Sequence, residues 1–222
     1  MSIGNIFDEQ RPHWEQSFLD RSDMFGIEPS IAARRALEIF KGQNITHILE
    51  LGAGQGRDTF FFALNGIYVT ALDYTKSGID DIQRKAEMLG LQDQVATLHH
   101  DVRIPLPFED GSFGGCYSHM LYCMALTTLE LNRVSQQMRR VLKSGGLNIY
   151  TARHKGDAHY GQGIHRGEDM YEVGGFIVHF FDRAKVDQLA VGYDLWDIHE
   201  FEEGGLPRRL FQVSMAKSEG NP

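Results

Sequence analysis

The sequence predicts an α/β fold whose parallel sheet is covered by helices on both faces, and three observations predict it. Short apolar runs alternate with helix-like stretches through most of the chain, as in successive βαβ crossovers. A glycine cluster, Gly52-Ala53-Gly54-Gln55-Gly56, stands between the first apolar run and the next helical stretch. The chain closes with two strand-like runs joined by a turn holding Gly204 and Gly205, which predicts an antiparallel hairpin.

Residues 1–27 are polar with scattered aromatics, Phe7, Trp14, Phe18 and Phe25. They lack a clean period and are expected to form an arm that packs on a larger body. Pro29-Ser30 opens a helix, with Ser30 as N-cap and Gly42 as its stop. The run 47–51 then leads as a strand into the glycine cluster. A helix over 59–65 ends at Gly66, a strand covers 68–73, a helix over 79–89 ends at Gly90, and a strand covers 95–100. After the loop 105–112, residues 115–122 predict a strand. Thr127-Thr128-Leu129-Glu130 is a capping box opening a helix to about Leu142. Lys143-Ser144-Gly145-Gly146 turns the chain into a strand over 147–151. Residues 152–178, rich in glycine, histidine and tyrosine, break the rhythm and are expected to be an insertion serving as a substrate lid. A helix over 182–191 and strands over 195–201 and 209–216 complete the chain, with Phe211, Val213 and Met215 on one face.

The 222 residues fit one domain spanning 1–222, and 42% hydrophobic residues with 23% charged ones leave enough apolar side chains for a core. That composition excludes disorder, collagen and coiled coil. The formal charge of −8 repels phosphate backbones and anionic headgroups, so neither nucleic acid nor a membrane is an expected partner. Cys116 and Cys123 point apart in an extended segment and are expected to be reduced and buried. With no apolar run near the roughly 20 residues of a membrane span and no signal-like N-terminus, a cytoplasmic protein is expected, as monomer or homodimer.

The chemistry concentrates in Glu50-Leu51-Gly52-Ala53-Gly54-Gln55-Gly56-Arg57-Asp58. Glycines allow a tight turn and let a ligand approach the backbone, and the helix start is expected to offer free N–H groups to an anionic part of a cofactor. Asp73 ends the next strand 21 positions after Gly52, where a carboxylate can accept both hydrogen bonds of a ribose diol. The dinucleotide fingerprint is G-x-G-x-x-G, whereas this turn is G-x-G-x-G with an acid two residues before it. The spacing therefore favours a different nucleoside.

On these residues the stretch from about Ile48 to Thr151 resembles the class I S-adenosylmethionine-dependent methyltransferases. The resemblance implies a Rossmann-like, doubly wound, mostly parallel seven-stranded sheet with an antiparallel C-terminal hairpin. It also implies a methionine site at Glu50, Gly52, Ala53, Gly54 and Gly56, ribose contact at Asp73 with Tyr74 beside the adenine, and adenine contact at Asp101 and Val102. Further signatures fall on Asp110-Gly111-Ser112-Phe113 and on Arg140-Val141-Leu142-Lys143-Ser144-Gly145-Gly146. Gly-Gln-Gly-Arg-Asp and Phe25-Gly26-x-x-Pro29-Ser30 look most like the tellurite-resistance and thiopurine methyltransferase-like branch. The implied cofactor is S-adenosylmethionine, the product S-adenosylhomocysteine, and the partner a small-molecule acceptor.

Each feature also has a structural explanation. Asp58 is as readily a first-turn acid stabilising the helix dipole as a ligand, and Phe60-Phe61-Phe62 are most simply core. His119 and Tyr122 fall where the fourth strand ends, beyond which open parallel sheets bind ligands. His119 is assigned to the cofactor, and Trp14, Tyr122, Arg153 and His154 to the acceptor; Arg153 is expected either to anchor an anionic substrate or to pair with a nearby acid. His154, His159, His165 and His179 with Asp157, Glu168 and Asp169 follow no metal-ligand spacing, so no metal is expected. No catalytic residue is identified, since methyl transfer from a sulfonium needs chiefly positioning and exclusion of water. The alternatives are a nicotinamide oxidoreductase, disfavoured by the glycine spacing, and a non-catalytic S-adenosylmethionine-binding module. A macromolecular methyltransferase is disfavoured by the charge and by the lack of an Asp/Asn-Pro-Pro-aromatic sequence at 118–121.

Overall fold

The computed structural model describes residues 8–205 and 207–219, so Phe7 lies outside the described residues. Its elements, in chain order, begin with α1 (Gln10–Asp20), α2 (Ile31–Gly42), β1 (His47–Leu51), α3 (Arg57–Leu64), β2 (Tyr68–Asp73), α4 (Lys76–Leu89) and β3 (Val95–His99). There follow β4 (Phe113–Ser118), a 3-10 turn (Leu121–Cys123), α5 (Thr128–Val141) and β5 (Leu142–Arg153). The last part holds β6 (Ile164–His165), β7 (Met170–Val173), β8 (Phe176–His179), α6 (Arg183–Leu189), β9 (Tyr193–Glu203) and β10 (Arg208–Lys217).

Seven strands form one sheet in the order β3-β2-β1-β4-β5-β10-β9. All run parallel except β10, which pairs antiparallel with both β5 and β9. The expected doubly wound sheet is thus present, and the C-terminal hairpin inserts its second strand between β5 and β9. Burial on both faces follows from the two-residue period of a strand. In β1, Ile48 joins a cluster with Ala33, Ala36 and Phe40 of α2, Phe62 of α3 and Ile82 of α4. Its neighbours Leu49 and Leu51 join the opposite cluster with Leu131, Val134 and Met138 of α5 and Val186 of α6. Strand order reverses between β1 and β4, so the C-terminal ends of those two strands border the crevice where such sheets bind ligands.

Helix boundaries follow their caps. Ser30 accepts the N–H of Ala33 at the start of α2, and Thr127 with Glu130 forms the reciprocal capping box of α5. Gly90 ends α4 in the left-handed conformation at φ +68°, where a glycine carries no Cβ penalty. Cys116 and Cys123 are free and buried, and burial pushes the Cys123 thiol up to about 11.

Two segments differ from their sequence expectation. The arm contains the helix α1, which buries Gln10 and Phe18; with so few apolar contacts it shows no helical period. Residues 152–178 include most of a three-stranded antiparallel meander, β6-β7-β8, in place of an irregular loop. Its strands of two to four residues are too short to display alternation.

Ser30 does more than cap: its main-chain N–H and hydroxyl both donate to the Asp58 carboxylate, at 2.8 and 2.7 Å, within the core. Ser30→Ala should therefore destabilise the protein by about 1–3 kcal/mol, measured by urea unfolding. Unchanged stability would mean that this junction between α2 and α3 is dispensable.

Candidate functional site

The glycine turn leaves β1 and enters α3 with Gly52, Gly54 and Gly56 all in the left-handed region, at φ +68°, +57° and +85°. L side chains rarely adopt that conformation. Above the turn, a Cβ on Gly54 would lie 3.4 Å from Cζ of Phe18. From below, α4 approaches so closely that a Cβ on Gly78 would fall 2.5 Å from the Gly54 carbonyl oxygen. Gly78 escaped the sequence reading because its role depends on a neighbour 24 residues away.

The N–H groups of this turn are already committed. Those of Gly52 and Ala53 donate to the Leu72 carbonyl at 2.8 and 3.1 Å, and that of Gly56 donates to Ala53. The Gly54 N–H donates to Asp73 Oδ2 at 2.8 Å. Sequence reasoning expected free N–H groups facing an anion; at these four positions the protein consumes them itself. Beneath the turn lie three buried acids, Glu50, Asp58 and Asp73. The groups left for a ligand are thus carbonyl oxygen, glycine Cα and the remaining acceptor position of Asp73, which suit a hydrogen-bond donor or cationic group and oppose a pyrophosphate.

The acids differ in environment. Asp58 accepts Ser30 and the Tyr117 hydroxyl (3.0 Å), with Arg57 Nε at 3.4 Å, so it is a structural hub. Asp73 accepts Gly54 on one oxygen and the Thr75 N–H (2.8 Å) and hydroxyl (2.6 Å) on the other. A carboxylate offers about four acceptor positions, which leaves about one for a ligand. Burial raises its pKa, and the bonds from Thr75 and Gly54 oppose the rise. Glu50 accepts the Thr59 hydroxyl at 2.6 Å. Burial and then the nearby Asp58 charge push Glu50 up to about 8.

At the next strand ends, Tyr74 is half-buried, and burial followed by the Asp73 and Asp101 charges raises its pKa. Asp101 is committed to the Arg103 side chain (2.7 Å at the shortest) and to the Arg103 N–H (2.9 Å). Burial opposes ionisation there, but those bonds hold the carboxyl below its ordinary value. Arg103 also reaches Asp8 at 2.8 Å, while Val102 packs at the margin of the core.

Segments beyond the glycine turn close around it. Gln55 accepts the Met24 N–H and donates to the Phe18 and Arg21 carbonyls. Glu15 accepts the Lys76 and Ser77 N–H groups at the start of α4, both at 2.8 Å. Gln10 bridges α1 to the meander, donating to the Gly175 carbonyl at 3.0 Å and accepting the Ile177 N–H at 3.1 Å. Trp14 lies with Phe18 and Phe25 of the arm and Phe176 of β8.

Beyond β4, the 3-10 turn crosses the glycine turn, where a Cβ on Gly52 would meet Leu121 at 3.1 Å. His119 lies beside this crossing, its Nδ1 at 3.1 Å from the Thr151 hydroxyl and its Nε2 at 3.0 Å from Glu203. Burial works against the Glu203 charge, yet His119 and the Ile31 N–H hold its pKa down at about 2. Glu203 is a site residue that sequence reasoning missed, since nothing local distinguishes it from other turn acids.

Three expected acceptor contacts are placed otherwise. Tyr122 is buried in the core, stacked on Tyr150 at 4.1 Å, because this segment turns inward. Arg153 is buried and paired with Asp157 at 2.5 Å, which realises the expected pairing with an acid and leaves no free anion anchor. His154 stacks on Phe211 at 4.5 Å and accepts the Gly156 N–H. Of the four, Trp14 reaches the glycine turn through Phe18, and Tyr122 follows Leu121 in the 3-10 turn that crosses it. A shallow groove of about 590 Å³ lined by Ile31, Arg34, Arg35 and Phe61 shares no residue with the turn.

Residues 48–146 match the family described as a methyltransferase domain. Among solved structures, a Burkholderia thailandensis 1,6-didemethyltoxoflavin-N1-methyltransferase with bound 1,6-didemethyltoxoflavin and S-adenosylhomocysteine shares 16% identity at a TM-score of 0.77, over 99% of this chain and 92% of that one. A Methanosarcina mazei S-adenosylmethionine-dependent methyltransferase shares 19% identity at 0.68, over 78% and 92%. TehB from Haemophilus influenzae shares 17% at 0.66, over 93% and 67%. At such identities the likeness is one of fold. No curated protein matches the chain.

The folded chain keeps a proton on Glu50 up to about pH 8, which an unfolded chain sheds near 4.5, so stability falls as pH rises across that window. Glu50→Gln should remove this slope. In urea unfolding the variant should exceed the parent by on the order of 1 kcal/mol or more near pH 8.5. Identical pH slopes in the two proteins would refute a protonated Glu50.

Proposed function

We propose that this chain, whose residues 48–146 match a methyltransferase domain, is a class I S-adenosylmethionine-dependent methyltransferase that passes the methyl group to a small-molecule acceptor held between its N-terminal arm and the 152–178 insertion. The observation that carries the reading is the glycine turn whose Gly52, Ala53 and Gly54 N–H groups are spent on β2, with Glu50, Asp58 and Asp73 buried beside it. Such a cradle fits the cationic methionine end of the cofactor and disfavours the nicotinamide alternative. S-adenosylmethionine supplies a methyl on a sulfonium, which an acceptor lone pair displaces in line while the sulfur keeps the bonding electrons.

The remaining work is positioning. Glu50, Gly52, Ala53, Gly54 and Gly56 form the methionine end of the pocket. Asp73, with about one acceptor position left, is assigned to the ribose, and Tyr74, Val102 and the Asp101–Arg103 pair to the adenine. His119, beside the crossing of the 3-10 turn and held by Thr151 and Glu203, would border the cofactor. The arm helix and the meander exclude water, joined through Gln10. The likeness to a methyltransferase solved with 1,6-didemethyltoxoflavin supports a small acceptor, as does the charge of −8, which opposes nucleic acid. One domain with an arm and a lid, in the cytoplasm, completes the proposal; the buried unbridged thiols support that compartment. Among the described residues, no helix is long and apolar enough to cross a membrane.

Calorimetric titration tests the pocket: heat with S-adenosylmethionine and none with NADH is expected, and the reverse would end the proposal. Asp73→Ala should weaken binding by about 1–3 kcal/mol. Gly54→Val should weaken it further, because it adds a β-branched side chain at positive φ beneath Phe18. Release of S-adenosylhomocysteine above background with a small acceptor separates an enzyme from a binding module.

A further inference from the structure

The acceptor itself can be narrowed, on the reading that the arm and the 152–178 lid enclose it. Three features, two in that enclosure and one at the end of β9, bear on its chemistry. The first is aromatic. Trp14 has its ring centre 5.7 Å from Phe18, 6.2 Å from Phe25 and 4.6 Å from Phe176. Phe18 stands directly over Gly54, so this cluster joins the cofactor turn to the lid. Phe25 is 43% exposed and Trp14 half-buried, which leaves ring surface for a flat ligand to stack on.

The second feature is charge. Every lysine and arginine between 152 and 185 has a carboxylate within 4 Å. Arg153 meets Asp157 at 2.5 Å, Lys155 meets Asp182 at 2.7 Å, Arg183 meets Asp187 at 2.8 Å and Lys185 meets Glu168 at 3.9 Å. Arg166 pairs with Glu172. A lid built this way holds no uncommitted cation for an anionic acceptor, and removing a carboxylate from the buried Arg153 pair would be costly. The third feature is Glu203, which stays ionised across neutral pH at 3.0 Å from His119 and is 17% exposed. Its charge repels anions and accepts a hydrogen bond from an N–H or O–H.

We propose that the acceptor is a flat, uncharged aromatic or heteroaromatic ring bearing a nucleophilic N–H or O–H, stacked against Trp14 and Phe25 with that group directed toward Glu203. The ring nitrogen or oxygen bonds to the methyl carbon, the sulfur–methyl bond breaks with its electrons on sulfur, and the displaced proton passes to water. The paired lid cations and the Glu203 charge disfavour metalloid oxyanions and carboxylates as acceptors, and Arg57, whose guanidinium lies 6.0 Å from the Phe25 ring centre, is itself 3.4 Å from Asp58.

Trp196→Phe leaves Trp14 as the sole tryptophan, and its emission reports on the cluster. With saturating S-adenosylhomocysteine, neutral indazole and hydroxyquinoline probes should quench it saturably, whereas tellurite, selenite and benzoate should not. The same neutral probes should yield methylated product with S-adenosylmethionine. Trp14→Ala should raise their KM about tenfold, and Trp14→Phe should restore most of that loss if the arm remains folded. Glu203→Gln should shrink the preference for neutral over anionic probes by about threefold or more. Turnover of an oxyanion or carboxylate with the aromatic probes inert would overturn the proposal. So would cofactor binding accompanied by neither quenching nor methylation of any aromatic probe. Failure of S-adenosylmethionine to bind would instead bring down the pocket assignment and this inference with it.

Discussion

The bond from the Gly54 N–H to the Asp73 carboxylate is the constraint on which the rest of the site depends. It joins the end of β1 to the end of β2, and the second oxygen of the same carboxylate fixes Thr75 immediately before α4. With Gly52 and Ala53 bonded to the Leu72 carbonyl, the turn is closed onto its neighbouring strand. That closure sets the left-handed glycines in place and brings Gly78 of α4 against the turn. A buried carboxylate is tolerable there because its bonds to protein donors offset part of its desolvation.

Closing the turn in this manner reverses the electrostatics that glycine-rich turns commonly present. A helix start with free N–H groups attracts anions. Here the donors face inward, and acceptor groups, the Asp73 carboxylate above all, border the niche, with the protonated Glu50 beside it. Asp58 is silenced by Ser30, Tyr117 and Arg57 and belongs to the packing of α2 against α3. Glu50 keeps a single side-chain donor, Thr59, so its charge is the one that a bound cation would stabilise. The site thus combines a hydrogen-bonded floor with one acid whose ionisation a bound cation would favour.

Around that floor the enclosure is assembled from distant parts of the chain. Gln10 satisfies two main-chain groups of the meander 165 residues or more away, and Glu15 caps α4 across 61 residues. Glu203 reaches His119 from the final hairpin. These are polar contacts at the margins of the two hydrophobic clusters, where orientation matters more than buried area. They fix how the arm and meander lie over the turn, beside the apolar anchoring that Val178 and Tyr171 of the meander make in the main core.

Local signals determined the framework. The alternating runs, the caps at Ser30 and Thr127, the left-handed glycines and the acid at the end of β2 depend on residues a few positions apart, so the sequence displays them directly. The family resemblance added the strand order. Tertiary structure alone decided the destination of the turn's N–H groups, the burial of Tyr122, the pairing of Arg153, the helix within the arm and the strands within 152–178. It alone brought Glu203 and Gly78 to the site. The reason is physical: periodicity and capping are short-range properties of a chain, whereas hydrogen-bond partners and burial are set by which distant segments meet, and elements this short or polar carry no period to announce where they will pack.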